Sequence, residues 1–415
     1  MQTTCCSTMI ARIFPPSIHS AGPLEVRLPL SKSVSIRRLL LDAIASAETP
    51  IEETAVCDDT TVTRRALLAA GEGRSVDVDG CGAAMRFLTA WFAGQAGVTT
   101  TLGGSRRLSE RPVGALVEAL RSLGAEIEYL DKEGFPPLRI CGRRLQGGSV
   151  SLPGDISSQY VSALMLIAPM LSERLVISVM PPVVSRPYIA MTAGMMELYG
   201  GRCRMEDSES GELRITLGPS RLVAPATGIM EPDWSAASYW YEVSALTGCA
   251  LPAVEMPRES LQGDSAVTDY FFKILSAKAE AREVRLNLAD TPDLAPTLAA
   301  TCCGLSVPFR FEGLAGLRIK ECDRLTAIAV ELGRLGYEVK QEGEGALSFS
   351  GQRREPLQPV RIATYGDHRM AMAMAPLAVV APGLEIENPA VVGKSYPGFW
   401  DDLIGAGYVV NMIKL

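Results

Sequence analysis

The sequence predicts an α/β protein of two domains, each built from three repeated units. Its 415 residues, 47% of them apolar, exceed the size at which one hydrophobic core usually keeps growing. A pattern of a turn, an apolar helix, an amphipathic helix and a β-rich run recurs about six times along the chain. One large doubly wound domain is the alternative that this pattern leaves open.

Each repeat opens with a turn rich in glycine, proline, aspartate or serine, which leads into a helix rich in alanine, leucine and methionine. These helices are apolar nearly all round, so we expect them to be buried inside each domain. They are predicted at residues 30–45, 80–93, 154–169, 233–246, 290–301 and 366–380.

A second, amphipathic helix follows in each repeat, ends near a glycine and leads into a β-rich run. The clearest spans residues 112–123, where apolar residues at i, i+3, i+4 and i+7 form one stripe. Pro112 suits the first helical turn and Gly124 suits the helix end. Residues 323–335 repeat this design, and we expect these helices to lie outside the buried ones, with a hinge between the domains at residues 230–232.

The composition argues against several functions. A net charge of −7 disfavours generic attraction to nucleic acid or acidic membranes, and the longest apolar stretch, residues 160–171, is too short to span a bilayer. The first 20 residues lack the pattern of a secretory signal. The chain has only two histidines, His19 and His368, and no C-x-x-C pair, which disfavours metal sites. We expect a cytoplasmic monomer that binds neither nucleic acid nor membrane.

Eight cationic side chains lie within a turn or two of a predicted helix start. A helix N-terminus presents unpaired N–H groups and roughly half a positive charge, so a lysine or arginine there makes a strong phosphate or carboxylate site. Any one of them alone would be interpreted as a surface charge, but their repetition favours recognition of a small, multiply charged ligand. They are Lys32, Arg37, Arg86, Arg111, Lys320, Arg324, Arg369 and Lys394.

Three short segments place charged groups directly before an apolar helix. In residues 28–37, Lys32, Ser33 and Arg37 stand at a helix head, where ammonium, hydroxyl and guanidinium can bind one oxyanion. The other two combine acids and bases, and they are Lys320-Glu321-Cys322-Asp323-Arg324 and Tyr365-Gly366-Asp367-His368-Arg369-Met370-Ala371-Met372.

Together with four further motifs, these segments resemble the EPSP synthase family in order from residue 28 to residue 400. The resemblance implies two inside-out α/β domains of three repeats each, with the active site in the cleft between them. It implies one domain over residues 29–230, on the shikimate 3-phosphate side, and another over residues 1–28 and 231–415, on the phosphoenolpyruvate side. The further motifs are Ser109-Glu110-Arg111-Pro112, Ser157-Ser158-Gln159, Ser185-Arg186-Pro187-Tyr188 and Gly393-Lys394-Ser395.

The resemblance also implies the substrate contacts. Shikimate 3-phosphate is expected to bind Lys32, Ser33, Arg37, Ser157, Ser158, Gln159, Ser185, Tyr188, Asp293 and Lys320. Phosphoenolpyruvate is expected to bind Lys32, Gly82, Arg111, Gln159, Arg324, Arg369 and Lys394.

Enolpyruvyl transfer requires two proton-transfer groups, because phosphoenolpyruvate accepts the 5-hydroxyl of shikimate 3-phosphate only when its C3 methylene is protonated. We expect Asp293 to act at the hydroxyl and Glu321 at C3, with Lys32 and Lys394 as proton partners. His368 is either a structural hydrogen-bonding residue or a proton-transfer group, and both alternatives stay open. The family proceeds through a tetrahedral, phosphate-bearing intermediate and uses neither a cofactor nor a metal.

The chain departs from the family pattern at three positions. In the loop of residues 79–86, Gly80 replaces asparagine and Ala83 replaces threonine, whereas Gly82 is retained. Gly316 replaces another asparagine. These changes predict an altered affinity for phosphoenolpyruvate, or for an inhibitor of its site such as glyphosate.

Two other functions remain open, the related transferase and a sensor, whereas a nucleotide-binding P-loop is rejected. UDP-N-acetylglucosamine enolpyruvyltransferase shares the fold and chemistry, but that family typically has Lys-Asn in place of Lys32-Ser33, and a cysteine in a loop where residues 105–111 have none. Residues 388–395 resemble a P-loop weakly, because asparagine replaces the first glycine. A non-catalytic sensor of phosphorylated metabolites also remains open, since the altered loop could favour binding over turnover.

Overall fold

The computed structural model describes residues 9–16, 26–69, 75–226, 230–251, 256–356 and 358–415. His19 and the first eight residues, which entered the sequence predictions, lie outside the described residues. The described chain forms two compact units, so a single large domain, the alternative interpretation of the repeats, is wrong. The first unit is Leu30–Glu231 with Glu259–Gly263, and the second unit is Met1–Pro29, Pro232–Arg258 and Asp264–Leu415.

The helices of the described residues confirm the predicted alternation. Apart from the short α4, they form six successive pairs, α1/α2, α3/α5 and α6/α7 in the first unit and α8/α9, α10/α11 and α12/α13 in the second. Their bounds are α1 Lys32–Ala45, α2 Asp58–Leu68, α3 Gly82–Ala93, α4 Arg106–Ser109, α5 Gly114–Ser122, α6 Ser158–Ile167, α7 Arg186–Leu198, α8 Trp234–Thr247, α9 Val267–Ala279, α10 Ala295–Gly304, α11 Arg324–Arg334, α12 His368–Met374 and α13 Phe399–Gly405.

Several of the predicted apolar helices are shorter than expected, and α10 and α12 show the reason. α10 begins at Ala295 rather than at residue 290, because the chain first makes a 3₁₀ turn at Pro292–Leu294. α12 ends at Met374 and continues as the 3₁₀ helix Ala375–Val379, whose Pro376 cannot donate a backbone hydrogen bond.

The described strands form four four-stranded sheets, in the orders β2-β3-β5-β4, β6-β7-β9-β8, β10-β11-β13-β12 and β14-β15-β1-β16. In each sheet the first two strands are parallel and the others are antiparallel. Their bounds are β1 Met9–Phe14, β2 Ser75–Asp77, β3 Thr99–Gly103, β4 Glu126–Tyr129, β5 Leu138–Cys141, β6 Gly148–Pro153, β7 Leu175–Met180, β8 Cys203–Asp207, β9 Leu213–Leu217, β10 Val284–Asn287, β11 Phe309–Glu312, β12 Tyr337–Glu342, β13 Ala346–Arg353, β14 Arg361–Ile362, β15 Leu384–Glu387 and β16 Val409–Lys414.

Each sheet therefore belongs to one β-α-β-α-β-β repeat, in which the buried helix joins the two parallel strands. In the last repeat β1, from the start of the chain, takes the place of the final strand, with Ile10 opposite Ile413. Within the described residues, each unit thus has two repeats with a complete sheet and one helix pair, α1/α2 or α8/α9, without one.

The core of each unit lies among its apolar helices, as predicted. Leu40 of α1, Leu88 of α3 and Leu164 of α6 are fully buried in the first unit. In the second unit, Trp240 of α8 and Leu298 of α10 are buried in a separate cluster. β5, β9 and β10 alternate buried residues with exposed or half-buried ones, so one face of each of these strands packs on helices and the other is open to solvent.

Glu259–Gly263 joins the first unit although its neighbours in sequence belong to the second. The Glu231 carboxylate accepts hydrogen bonds from Ser260 Oγ at 2.7 Å and from the Leu261 amide at 3.1 Å. Sequence patterns had assigned this segment to the C-terminal domain with residues 231–415, because a contact of this kind leaves no periodic signal.

Candidate active site

A buried guanidinium is the centre of the predicted residues in the second unit. Arg324 begins α11 behind the N-cap Asp323, and its side chain is 2% exposed. Its Nη1 donates to Asp293 Oδ1 at 2.8 Å, and its Nη2 donates to Glu321 Oε2 at 2.6 Å. The two carboxylates expected to transfer protons therefore bind the same cation.

Three more predicted cations join this cluster. Arg369 Nη2 donates to Asp293 Oδ2 at 3.1 Å, and Lys320 Nζ lies 3.5 Å from Asp293 Oδ1. Lys394 Nζ lies 3.8 Å from Glu321 Oε1. The residues come from four separate stretches of the second unit, and the fold brings them into one network.

The neighbouring cations determine the protonation state of Asp293. Burial alone would raise the pKa of this carboxyl, but Arg369, Lys320 and Arg324 hold that pKa far below its ordinary value. Asp293 is therefore ionised at neutral pH and can accept a proton. Burial likewise opposes the charge of Arg324, but the neighbouring carboxylates raise the pKa of Arg324 above its ordinary value.

Asp367 is a member of the cluster to which sequence analysis assigned no role. Its side chain is fully buried, and Oδ2 accepts a hydrogen bond from Arg324 Nε at 2.6 Å. The only signal in the sequence is its place before an apolar helix, where aspartate is a common N-cap. The next residue, His368, is 1% exposed, and its Nδ1 lies 3.8 Å from Asp367 Oδ1, so both alternatives for His368 stay open.

In the first unit, Lys32 begins α1, and Ser31 is the N-cap, with its Oγ accepting from the Val34 amide at 3.5 Å. Lys32 Nζ lies 3.0 Å from Asp59 Oδ2 of α2, and the side chains are 14% and 7% exposed. Asp59 was missed by the sequence analysis, because an ion pair between two helices is decided only when they pack. The pair orients the ammonium of the lysine expected to contact both substrates.

Most N–H groups of Arg37 donate hydrogen bonds to other residues of the protein. Its Nε donates to Thr192 Oγ1 at 2.7 Å, and its Nη1 donates to the Ser33 carbonyl at 2.9 Å. Its Nη2 donates to Ser162 Oγ at 3.2 Å and to the Tyr188 carbonyl at 3.3 Å. Burial lowers the pKa of Arg37 to about 10, so it stays charged at neutral pH. Four of its five N–H groups thus donate to Thr192, Ser33, Ser162 and Tyr188. Among the described residues, the second N–H group on Nη1 is left for a ligand.

The other predicted phosphate ligands lie at the starts of α6 and α7. Ser157 is the N-cap of α6, and its Oγ accepts from the Gln159 amide at 3.3 Å, while Ser158 is the first helical residue. Ser185 precedes α7 in the left-handed region, at φ 54°, a conformation that costs serine about 1–3 kcal/mol and is concentrated at functional sites. Two helix N-termini that carry hydroxyl groups can bind a phosphate.

Gly82 and Arg111 are in direct contact. A Cβ placed on Gly82, the first residue of α3, would lie 2.6 Å from Arg111 Nη1. Arg86, one turn along α3, donates to the Gly82 carbonyl at 3.2 Å and to the Pro112 carbonyl at 2.8 Å. Arg86 therefore ties the start of α3 to the segment that carries Arg111, and only glycine leaves space for the Arg111 guanidinium.

All of the predicted site residues are described, and they divide between the two units. The first unit holds Lys32, Ser33, Arg37, Gly82, Arg111, Ser157, Ser158, Gln159, Ser185 and Tyr188. The second unit holds Asp293, Lys320, Glu321, Arg324, His368, Arg369 and Lys394. In the described ranges no cluster of three or more histidine, cysteine or acidic side chains is suited to a metal ion. No helix there is long and apolar enough to cross a membrane.

Comparisons with known proteins match the same kind of enzyme over nearly the whole chain. The profile of the family EPSP synthase (3-phosphoshikimate 1-carboxyvinyltransferase) matches residues 65–403. A 3-phosphoshikimate 1-carboxyvinyltransferase of Bacteroides fragilis (strain YCH46) is 41% identical over 403 residues, which cover 93% of this chain and 96% of that protein. The enzyme of the same name from Vibrio cholerae (strain M66-2) is 34% identical over 411 residues, covering 91% and 95%.

The solved structure of EPSP synthase from Acinetobacter baumannii matches 98% of this chain and 100% of that chain, with a TM-score of 0.70 at 19% identity. At that identity the likeness concerns the fold, and it confirms the predicted two-domain α/β architecture. The family profile and the identity to the Bacteroides and Vibrio enzymes together show that the chain belongs to the EPSP synthase family.

Proposed function

We propose that this chain transfers the enolpyruvyl group of phosphoenolpyruvate to the 5-hydroxyl of shikimate 3-phosphate and releases phosphate, a step of chorismate and aromatic amino acid biosynthesis. The observation that carries the proposal is the Arg324 network, in which one guanidinium binds Asp293 and Glu321 and three further cations surround them. The transfer needs an anion-binding site with two carboxylates that handle protons, and these residues supply both.

We assign the helix starts of the first unit mainly to shikimate 3-phosphate. Its phosphate would be held by Lys32, Ser33, Arg37 and the serines at the starts of α6 and α7. The rest of the substrate would contact Asp293 and Lys320 of the second unit. Phosphoenolpyruvate would take Arg324, Arg369 and Lys394 of the second unit with Lys32, Gly82, Arg111 and Gln159 of the first.

The charges suggest how the carboxylates are activated. When anionic substrates bind Arg324, Arg369 and Lys320, these cations hold Asp293 less strongly and the pKa of Asp293 rises toward its ordinary range. Asp293 then becomes a better base and takes the 5-hydroxyl proton as the hydroxyl oxygen bonds to C2, while Glu321 in its protonated form delivers a proton to C3. Glu321, now a carboxylate, then removes a C3 proton from the tetrahedral intermediate, the electrons of that C–H bond form the new C=C bond, and phosphate leaves from C2.

The test is phosphate release from phosphoenolpyruvate with two acceptors compared. We expect release with shikimate 3-phosphate and background with UDP-N-acetylglucosamine. The reverse result would replace the proposal with the related transferase. Calorimetric binding of both substrates without phosphate release would instead identify a sensor.

A matched pair of variants ties the activity to the network. Asp293→Asn removes the proposed base and should lower kcat by about 10²- to 10⁴-fold. Asp269→Asn makes the same chemical change at an exposed position of α9 and should leave kcat unchanged. Equal kcat values for the two variants would exclude Asp293 from the chemistry.

A further inference from the structure

Asp367 and the two carboxylates proposed to transfer protons occupy different edges of the Arg324 guanidinium. Asp367 Oδ2 accepts from Nε at 2.6 Å and Oδ1 accepts from Nη2 at 3.2 Å, so Asp367 binds the side edge through two bonds. Asp293 and Glu321 share the adjacent, terminal edge through Nη1 and Nη2, and Nη2 belongs to both edges. A substrate carboxylate can form a bidentate pair with the terminal edge only by displacing them.

The Asp367 carboxylate is itself rigidly held. Oδ1 also accepts from the Arg369 amide at 3.0 Å, as the N-cap of α12, and Cys322 Sγ donates to Oδ2 at 3.5 Å. The side chain is fully buried. One carboxylate thus connects the guanidinium of Arg324 to the backbone of Arg369, and both arginines are expected to bind phosphoenolpyruvate.

We propose that Asp367 is a positioning residue for the transfer reaction: it fixes the plane of the Arg324 guanidinium so that the terminal edge faces the carboxylate of phosphoenolpyruvate. This inference rests on the proposed function. Asp367 touches neither substrate in this scheme and acts only through Arg324. Because Asp367 stays on the side edge, substrate binding at the terminal edge releases Asp293 and Glu321 for proton transfer without loosening Arg324.

Asparagine separates this role from the capping of α12. Asp367→Asn keeps an oxygen for the Arg369 amide, since asparagine and aspartate cap helices about equally well. Its NH₂ group, however, would face an N–H donor of Arg324, so the two-bond contact is lost. We expect the KM for phosphoenolpyruvate to rise about 10- to 100-fold, while the dissociation constant of shikimate 3-phosphate alone changes little.

Two further variants complete the experiment. Asp367→Glu keeps the charge and both acceptors but carries them on a longer side chain, so its KM for phosphoenolpyruvate should lie between those of wild type and Asp367→Asn. It also serves if the asparagine variant does not fold. Asp323→Asn, at the N-cap of α11 beside Arg324, is the matched control and should leave both KM values unchanged.

The proposal is overturned if the KM for phosphoenolpyruvate of Asp367→Asn equals that of wild type. It is also overturned if weaker binding of both substrates accompanies a fall in melting temperature, because that result describes a merely structural residue. Failure of the proposed function is distinguishable, since it would appear first in the wild-type acceptor comparison.

Discussion

Replacement of Gly82 by alanine tests whether the start of α3 is shaped around Arg111. The new Cβ would lie 2.6 Å from Nη1, 2.8 Å from Nη2 and 2.9 Å from Cζ of Arg111. The Gly82 backbone is not in the left-handed region, and alanine favours helices, so the substitution should not lower the free energy of unfolding. The guanidinium, as the far end of a flexible side chain, is the group that must move.

The required movement sets the expected loss. Ordinary van der Waals contact begins at 3.4 Å, so Nη1 must retreat by about 0.8 Å. A charge-assisted hydrogen bond of about 2.8 Å would then exceed the length at which it counts as one. Losing one such bond costs about 1.5–3 kcal/mol, which corresponds to a rise of about 10- to 150-fold in the KM for phosphoenolpyruvate.

Steady-state kinetics with each substrate varied in turn, together with thermal unfolding, would measure this effect. Gly218→Ala is the control, because a Cβ there meets no atom within 4 Å in the same unit. The double variant with Arg111→Lys isolates the cause: with the guanidinium removed, Gly82→Ala should change the KM by less than about threefold. If Gly82→Ala has its full effect in that background, the Cβ does not act through Arg111 and the reasoning is refuted.

Three further predictions concern other residues. Asp59→Asn removes the anion 3.0 Å from Lys32 Nζ and should lower kcat/KM by about 10- to 100-fold, whereas unchanged kinetics would deny the ion pair a role. Ala83→Thr restores a hydroxyl in the first turn of α3 and should lower the KM for phosphoenolpyruvate by about 2- to 10-fold and change the inhibition constant of glyphosate. If neither the KM nor the inhibition constant changes, the hypothesis that Ala83 alters the affinity for phosphoenolpyruvate is rejected. Burial raises the pKa of Glu242, whose carboxyl oxygens have no hydrogen-bond partner among the described residues, so its ionisation opposes folding: this cost is absent below pH 4.5 and grows as the pH rises toward the folded-state pKa. Glu242→Met should therefore raise the free energy of unfolding by about 1–3 kcal/mol at pH 8 and by less at pH 5, and an equal difference at both pH values would contradict this.

The helices could be predicted because their signals are local. The amphipathic stripe of residues 112–123 and the glycine after it predict α5, which the structure places at Gly114–Ser122. The same reasoning predicts α11. Apolar periodicity and helix-ending glycines act over one or two turns, so the surrounding fold need not be known.

The sheets could be predicted only in part. Nothing near residues 9–14 indicates that β1 pairs with β15 and β16, nearly the whole chain length away. Similarly, no pattern assigns Glu259–Gly263 to the first unit. Strand partners and unit membership depend on which surfaces are still unpaired once the rest has folded, and a sequence window does not contain that information.

For the candidate site, the sequence by itself determined the residue types, their order and the family, because short motifs place hydroxyls, cations and carboxylates directly before helices. Tertiary structure alone decided which residues these groups contact. Arg324 binds Asp293, Glu321 and Asp367 together. Asp59 pairs with Lys32, and most N–H groups of Arg37 donate to other residues of the protein. Hydrogen bonds and ion pairs act over a few ångströms. Residues far apart along the chain come within that range only when their helices pack.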